Sequence, residues 1–282
     1  MIQGPGQIPM RVGVGIPTQN RRLMLLEAIA AHQRYSALAA ELVVVDDGSQ
    51  DGTKEAVESW FALDGQSKSY VRHAEKRGVA AAKNACLHRL LALGCDHLVL
   101  IEDDLRPLRE NWLEIITTTA QLSGLQHLLY LPEPMYGVIQ KREGTPPADV
   151  HWKSLAGGMV MYFTRDLLAA CGFFEEKFGR YGYEHNELSS RMLVHLGCFP
   201  LHYPHVAELE RGKYLWSQDH EYRVKRHEWA PTCLQEGVAM SSEQSLYLRQ
   251  SYGKRNNALY ERLMKEHARA WKNCPRRRPA RV

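Results

Sequence analysis

Three consecutive carboxylates, Glu102, Asp103 and Asp104, follow an apolar run in the segment HLVLIEDDLRP. Acidic side chains crowded at the end of a buried strand need a counter-charge. A divalent ion bridging two phosphate oxygens supplies one, because Mg²⁺ or Mn²⁺ takes hard oxygen ligands and keeps phosphate and water in its remaining positions. A second acidic strand end stands in ELVVVDDGSQDGT, where Asp46 and Asp47 emerge beside Gly48 and Gly52. A carboxylate there can accept the imide or amine hydrogen of a base, or a ribose hydroxyl, and the glycines let a ligand approach the backbone closely. Read singly, the first segment is a solvated acidic loop and the second a tight strand-to-helix turn. Two acidic strand ends in one sheet favour a shared ligand.

The elements that must position these residues follow from periodicity. Short aliphatic runs at 11–16, 41–46, 69–73 and 97–102 alternate with helical patterns at about 21–38, 52–62 and 79–93, the signature of a parallel sheet covered by helices. The class is α/β, and open α/β sheets bind ligands at the carboxyl ends of their strands. Ser49, Asp51 and Thr53 supply helix-starting oxygens for the second helix. Further on, the pattern predicts a helix at 111–122, a strand at 128–131 and a helix at 184–196. The turn-rich stretch PEPMYGVIQKREGTPPADV ends as a mobile loop on this reading. Beyond Pro200 the pattern fades until a helix at about 241–273, weak at Gly253.

Four segments in this order and spacing, VGVGIPTQNR, VVVDDGSQDGT, RGVAAAKNACL and LIEDDLRP, resemble the nucleotide-sugar half of family 2 glycosyltransferases, which have the GT-A fold. The resemblance runs from about 10 to 108, and more weakly from 155 to 197. The EDD form of the acidic triplet is also similar to that of N-acetylglucosaminyltransferase I enzymes. What the resemblance implies is a metal-dependent, inverting transfer of a sugar from a nucleotide diphosphate donor, UDP-linked by preference, on a Rossmann-like, mostly parallel sheet flanked by helices. Pro17, Thr18, Asn20 and Arg21 match the first-strand loop against the nucleoside, and Asp47, with Asp46 beside it, matches the carboxylate that reads the base. Gly78, Lys83 and Asn84 match the segment packed by base and diphosphate, with Lys83 where arginine is more usual. Asp104 matches the ligand of Mn²⁺ or Mg²⁺, and Glu102 and Asp103 match positions facing ribose and the metal's waters.

The second half resembles the acceptor side through GGMVMYF and CGFFEEKFGRYGYEHNELSSRML. Family members usually carry an acidic pair at this helix start, which supplies the general base; here Glu184 and His185 stand in its place. Either can serve, since burial can raise a carboxylate and histidine titrates near neutral pH unassisted; Glu187 is a third candidate. His202, His205, His220 and His227 are candidates for one more metal ligand, and Trp152, Trp216 and Trp229 for stacking platforms. The expected organisation is a nucleotide-sugar half at 1–108, an acceptor half at 109–235 and a helical C-terminal extension at 236–282.

The acceptor is not named by any of these residues: saccharides, lipid-linked or protein glycans and small hydroxylated molecules all remain open. Residues 254–282 carry a charge of +8 against +4 for the whole chain, so a nucleic-acid acceptor, for example a hydroxymethylated DNA base, is the alternative substrate. A GT-A protein that binds nucleotide sugars without catalysis is the alternative of another class. A nucleotidyltransferase is disfavoured, because PTQNRR lacks the glycines of a phosphate loop. The six cysteines are widely spaced and read as reduced thiols of a cytoplasmic protein, and no apolar run reaches membrane-spanning length.

Overall fold

The computed structural model describes residues 10–36, 38, 40–63, 68–131, 139–154, 156–179, 182–198, 202–212, 215–217, 255–267 and 269. The first four apolar runs form β1 (Val12–Thr18), β2 (Ala40–Asp46), β3 (Lys68–Arg72) and β4 (His97–Ile101), all parallel. They alternate with α1 (Arg22–Tyr35), α2 (Thr53–Leu63) and α3 (Val79–Ala92). Every residue of β1 is buried, which is why it reads as a continuous apolar run with no polar alternation.

The second half adds β5 (Leu105–Pro107), α4 (Trp112–Ser123), β6 (His127–Tyr130), β7 (Ile139–Glu143), β8 (Val150–Lys153), β9 (Val160–Thr164), α5 (Arg165–Cys171), α6 (Glu184–His195), β10 (Tyr203–Val206), α7 (Ala207–Arg211) and β11 (Leu215–Ser217). A helix over 255–267, α8, follows. Nine strands make one sheet in the order β3-β2-β1-β4-β9-β6-β10-β8-β7, so the two halves share a continuous sheet through the β4–β9 pairing. Within it, β8 and β9 run against the other strands. A separate pair joins β5 to β11, with Trp216 opposite Arg106.

Side chains of β2 alternate between two cores. Val44 joins Leu25, Trp112 and Ile116 on the face covered by α1 and α4. Val43 and Val45 join Leu87, Leu90, Leu188 and Met192 on the face covered by α3 and α6. Helix α3 lies unusually close to β1: a β-carbon on Gly13 would stand 2.4 Å from Leu90 Cδ2, and one on Gly15 2.8 Å from Cys86 Cβ.

The expected elements of the first half are present with ends within three residues of those expected. The stretch 132–150 differs from its reading as turns ending in a loop: β7 lies inside it and pairs with β8 through a turn at 144–149. Its IQKRE sequence is polar because β7 is the sheet's edge strand, with Gln140, Lys141 and Arg142 exposed. Strand β10 escaped the pattern because Pro204, which has no N–H to give a ladder, sits inside it. Of the helix expected at 241–273, the part 255–267 is seen; the rest of that range, and the basic end at 270–282, lie outside the described residues.

Candidate active site

Parallel register brings Thr18 of β1 beside Asp46 of β2, and β4 ends one residue before Glu102, so both acidic segments emerge at the same sheet edge. Glu102 N donates to Met159 O (3.2 Å) and Leu105 N to Glu102 O (3.1 Å), which folds the acidic triplet into a tight turn. Asp103 is clasped by the first-strand loop, its Oδ2 accepting from Thr18 Oγ1 at 2.7 Å and its Oδ1 from Arg21 Nη1 at 2.8 Å. Asp104 is buried. Burial pushes the Glu102 carboxyl above the usual range, although Lys83, Arg21 and His185 pull it down; Asp103 adds to the rise.

Asp46 and Asp47 hold the protein's own groups. Asp46 accepts from Ser49 N (2.8 Å), Tyr70 OH (2.7 Å) and Arg72 Nε (3.3 Å). Asp47 accepts from Arg77 N and Gly78 N, both at 2.8 Å, at the start of α3, and meets His73 Nδ1 at 2.8 Å. Their work in this structure is to fix two loops. Asn20, at φ 53°, ties the loop after β2 to the end of β1: its N donates to Ser49 Oγ (2.8 Å) and its Oδ1 accepts from Gln50 N (2.7 Å). Pro17 is buried within β1.

Beside these loops opens a cavity of about 290 Å³ lined by Gln19, Asn20, Gly48, Gln50, Arg72 and Lys76, with Ala74 and Glu75. Of these, the sequence singles out Asn20 and Gly48. Gln19, Gln50, Arg72 and Lys76 were missed; Gln19 and Gln50 lie inside the quoted motifs, but Arg72 and Lys76 lie between them and carry no motif of their own.

Lys83 and Asn84 stand in the first turns of α3. Lys83 is 2% exposed, with Nζ 3.2 Å from Glu184 Oε1 and 5.5 Å from the centre of the Phe174 ring. Asn84 braces the segment before α6, donating to Phe174 O (3.0 Å) and Glu176 Oε1 (3.0 Å) and accepting from Phe174 N (2.9 Å).

Glu184 and His185 open α6. The two differ in what surrounds them: side-chain exposure is 5% for Glu184 and 26% for His185. Burial by itself would push the Glu184 carboxyl up, but Lys83, His185 and the local hydrogen bonds hold it well below the usual carboxylate range. Its Oε2 accepts from Gly182 N (2.8 Å), and its Oε1 lies 3.3 Å from His185 Nδ1. The His185 ring lies over Gly158, where a β-carbon would come within 3.1 Å of its Cγ. Glu187 faces elsewhere, to Arg191 (2.8 Å to Nε) and His267 (2.7 Å to Nε2); burial raises its carboxyl, and those two partners bring it below the usual range.

His205 is buried within β10 and His202 lies just before it; His220, His227 and Trp229 lie outside the described residues. Trp152 donates to Glu143 Oε2 across the β7–β8 hairpin (2.8 Å). Among the described residues no three His, Cys, Asp or Glu side chains converge as a metal-holding group. A divalent ion at the triplet would thus draw most of its ligands from phosphate and water, the habit of Mg²⁺ and its like.

Residues 13–125 match the family described as Glycosyl transferase family 2. The chain is 25% identical over 198 residues to an uncharacterised glycosyltransferase of Acanthamoeba polyphaga mimivirus, a match covering 67% of this chain and 75% of that one. Among solved structures, residues 1–349 of S. aureus TarS superpose with a TM-score of 0.56 at 16% identity, covering 77% of this chain and 64% of that one. A longer TarS structure is spanned over only 34% of its length. The mannosyltransferase PcManGT from Pyrobaculum calidifontis, solved with GDP-Man and Mn²⁺, superposes with a TM-score of 0.52 at 16% identity, over 94% of this chain and 75% of that one. Sheet order and these superpositions give the chain the GT-A fold, and residues 13–125 are similar to family 2 glycosyltransferases.

Proposed function

We propose that this protein is a glycosyltransferase that moves a sugar from a UDP-sugar to an acceptor hydroxyl with inversion, and that His185 takes the acceptor's proton. The observation that carries the reading is the placement of His185, whose Nδ1 lies 3.3 Å from Glu184 Oε1 and whose ring lies over Gly158, next to the Met159 carbonyl that accepts from Glu102 N. Glu184, held ionised beside Lys83, is too weak a base to retain a proton. It orients the imidazole, as its Oε1 contact with His185 Nδ1 allows. The acceptor oxygen then bonds to the anomeric carbon as the bond from that carbon to the diphosphate breaks, its proton passes to His185, and the diphosphate leaves with the bonding pair.

Asp104, with Glu102 and Asp103 nearby, would hold Mn²⁺ or Mg²⁺, which when bound offsets charge on the leaving diphosphate. Three consecutive carboxylates in one tight turn, with Asp103 and Asp104 buried, fit such a group, and PcManGT was solved with Mn²⁺. The cavity at Gln19, Asn20, Gln50 and Arg72 would take the nucleoside, with the base beside the loops that Asp46 and Asp47 fix. UDP is favoured because TarS has been solved with UDP-GlcNAc. A cytoplasmic location accompanies the reading, in keeping with the free thiols of Cys86, Cys95, Cys171 and Cys198.

The test is the thermal midpoint with UDP, GDP, CDP, ADP and dTDP, each with Mn²⁺ and with EDTA, since binding to the native state raises stability by mass action. A Mn²⁺-dependent rise with UDP that disappears in Asp104→Ala is expected. A rise with another nucleotide reassigns the donor, and a rise indifferent to EDTA removes the metal.

A further inference from the structure

Helix α8 touches the start of α6 at three levels. Asn256, 2% exposed, donates from Nδ2 to Phe178 O (3.1 Å) and to Gly182 O (3.2 Å). The Tyr260 ring lies 5.3 Å from that of Tyr183. One turn further along α6, His267 Nε2 stands 2.7 Å from Glu187 Oε1.

The backbone held in this way is unusual. Gly182 has φ 103° and Tyr183, the residue capping α6, has φ 69°, a left-handed conformation that a β-carbon disfavours. Such conformations persist only where surrounding structure over-determines them, and no side-chain hydrogen bond caps this helix start. From the same Gly182, the N–H runs on to Glu184 Oε2 at 2.8 Å, and Glu184 Oε1 lies 3.3 Å from His185. A continuous run of contacts thus leads from α8 to the imidazole.

We propose that Asn256 is a positioning residue, which fixes Phe178 and Gly182 so that Glu184 and His185 are held against the acidic triplet. The C-terminal helix is then part of the catalytic apparatus and not an appendage to the sheet. The inference rests on His185 being the base, and its test separates the two. Asn256→Asp keeps the shape of the side chain, removes both donors and sets an oxygen against two carbonyls.

Two readouts are taken on the full chain. Amide hydrogen exchange needs no substrate: Gly182 N, bonded to Glu184, and Glu187 N, bonded to Tyr183 O (2.9 Å), should exchange faster, with β1 and β4 amides unchanged. Turnover is read as hydrolysis of UDP-N-acetylglucosamine or GDP-mannose with Mn²⁺. A fall in kcat of about 10- to 100-fold is expected, with donor KM within about twofold of wild type, because displaced catalytic groups lose rate more than binding. Unchanged exchange at Gly182 and Glu187, unchanged kcat, or a rise in KM with kcat intact would overturn the proposal. Should Asn256→Asp fail to fold, Asn256→Ser, which retains one donor, carries the same two readouts. Wild-type turnover in His185→Gln would sink the base assignment instead, and the exchange result would then decide alone whether α8 braces α6.

Discussion

Arg21 Nη1 lies 2.8 Å from Asp103 Oδ1, joining the loop after the first strand to the acidic turn after the fourth. The pair is mostly sheltered from water, with side-chain exposures of 16% and 6%. Removing one partner leaves the other charge poorly compensated. Arg21→Met is expected to lower unfolding free energy by about 2 kcal/mol in urea titration and to weaken nucleotide binding, whereas exchange of a fully exposed arginine such as one on a loop tip would do neither.

Lys83 and Glu184 make a deeper pair. Lys83→Met strands a buried carboxylate, at a cost of about 3 kcal/mol near neutral pH. The pH dependence carries the sign. Glu184 is held below its ordinary value in the folded protein, so it contributes stability above the unfolded value of about 4.5, lost as pH falls toward the folded one. Wild type should therefore lose stability on acidification below about pH 4.5, and Lys83→Met should lose less over the same interval, as measured by urea midpoints from pH 6 to pH 3.

His127 gives a separate acid sensitivity away from the cleft. Burial lowers it from 6.5 to about 4, and the neutral ring meets Tyr162 O (2.8 Å) and Ser189 Oγ (2.9 Å). Between those values the unfolded chain binds more protons, so stability falls as pH drops from about 6.5 to about 4. His127→Gln should flatten that part of the stability curve while lowering stability at pH 7 by about 1–3 kcal/mol.

Gly158 leaves room for the His185 ring. A methyl there would press within 3.1 Å of the imidazole, and Gly158→Ala is expected to reduce kcat by about tenfold or more with thermal midpoint little changed. Equal kcat in the two proteins would show that the ring position does not matter to turnover.

The sheet of the first half was legible because β1, β2 and β4 are buried on both faces, and their uninterrupted aliphatic runs between helix-starting residues admit one reading. The acidic segments were legible for the same reason, since strand ends locate the ligand edge. Less was visible where tertiary pairing overrides local pattern. Strand β7 is polar because it is an edge, β10 contains Pro204, and β11 has three residues whose partner lies more than a hundred positions away. Within the site, residue types identified Glu184 and His185 as equal candidates for a base. What separates them is Lys83, a contact 101 positions distant that spacing cannot reveal. Arg72 and Lys76 entered the cavity through the fold of the loop after β3, which no motif announces.

The missing β-carbons of Gly13 and Gly15 set a depth. Because α3 rests directly on β1, the height of its first turn above the sheet is fixed by backbone thickness and by Leu90 and Cys86. Lys83 rides on that turn, so the reach of its ammonium toward Glu184 is gauged from the floor of the protein. A single methyl on Gly15, some distance below the cleft, would lift the helix and shorten or lengthen that reach, tuning the charge at the α6 start without altering any residue that touches a ligand.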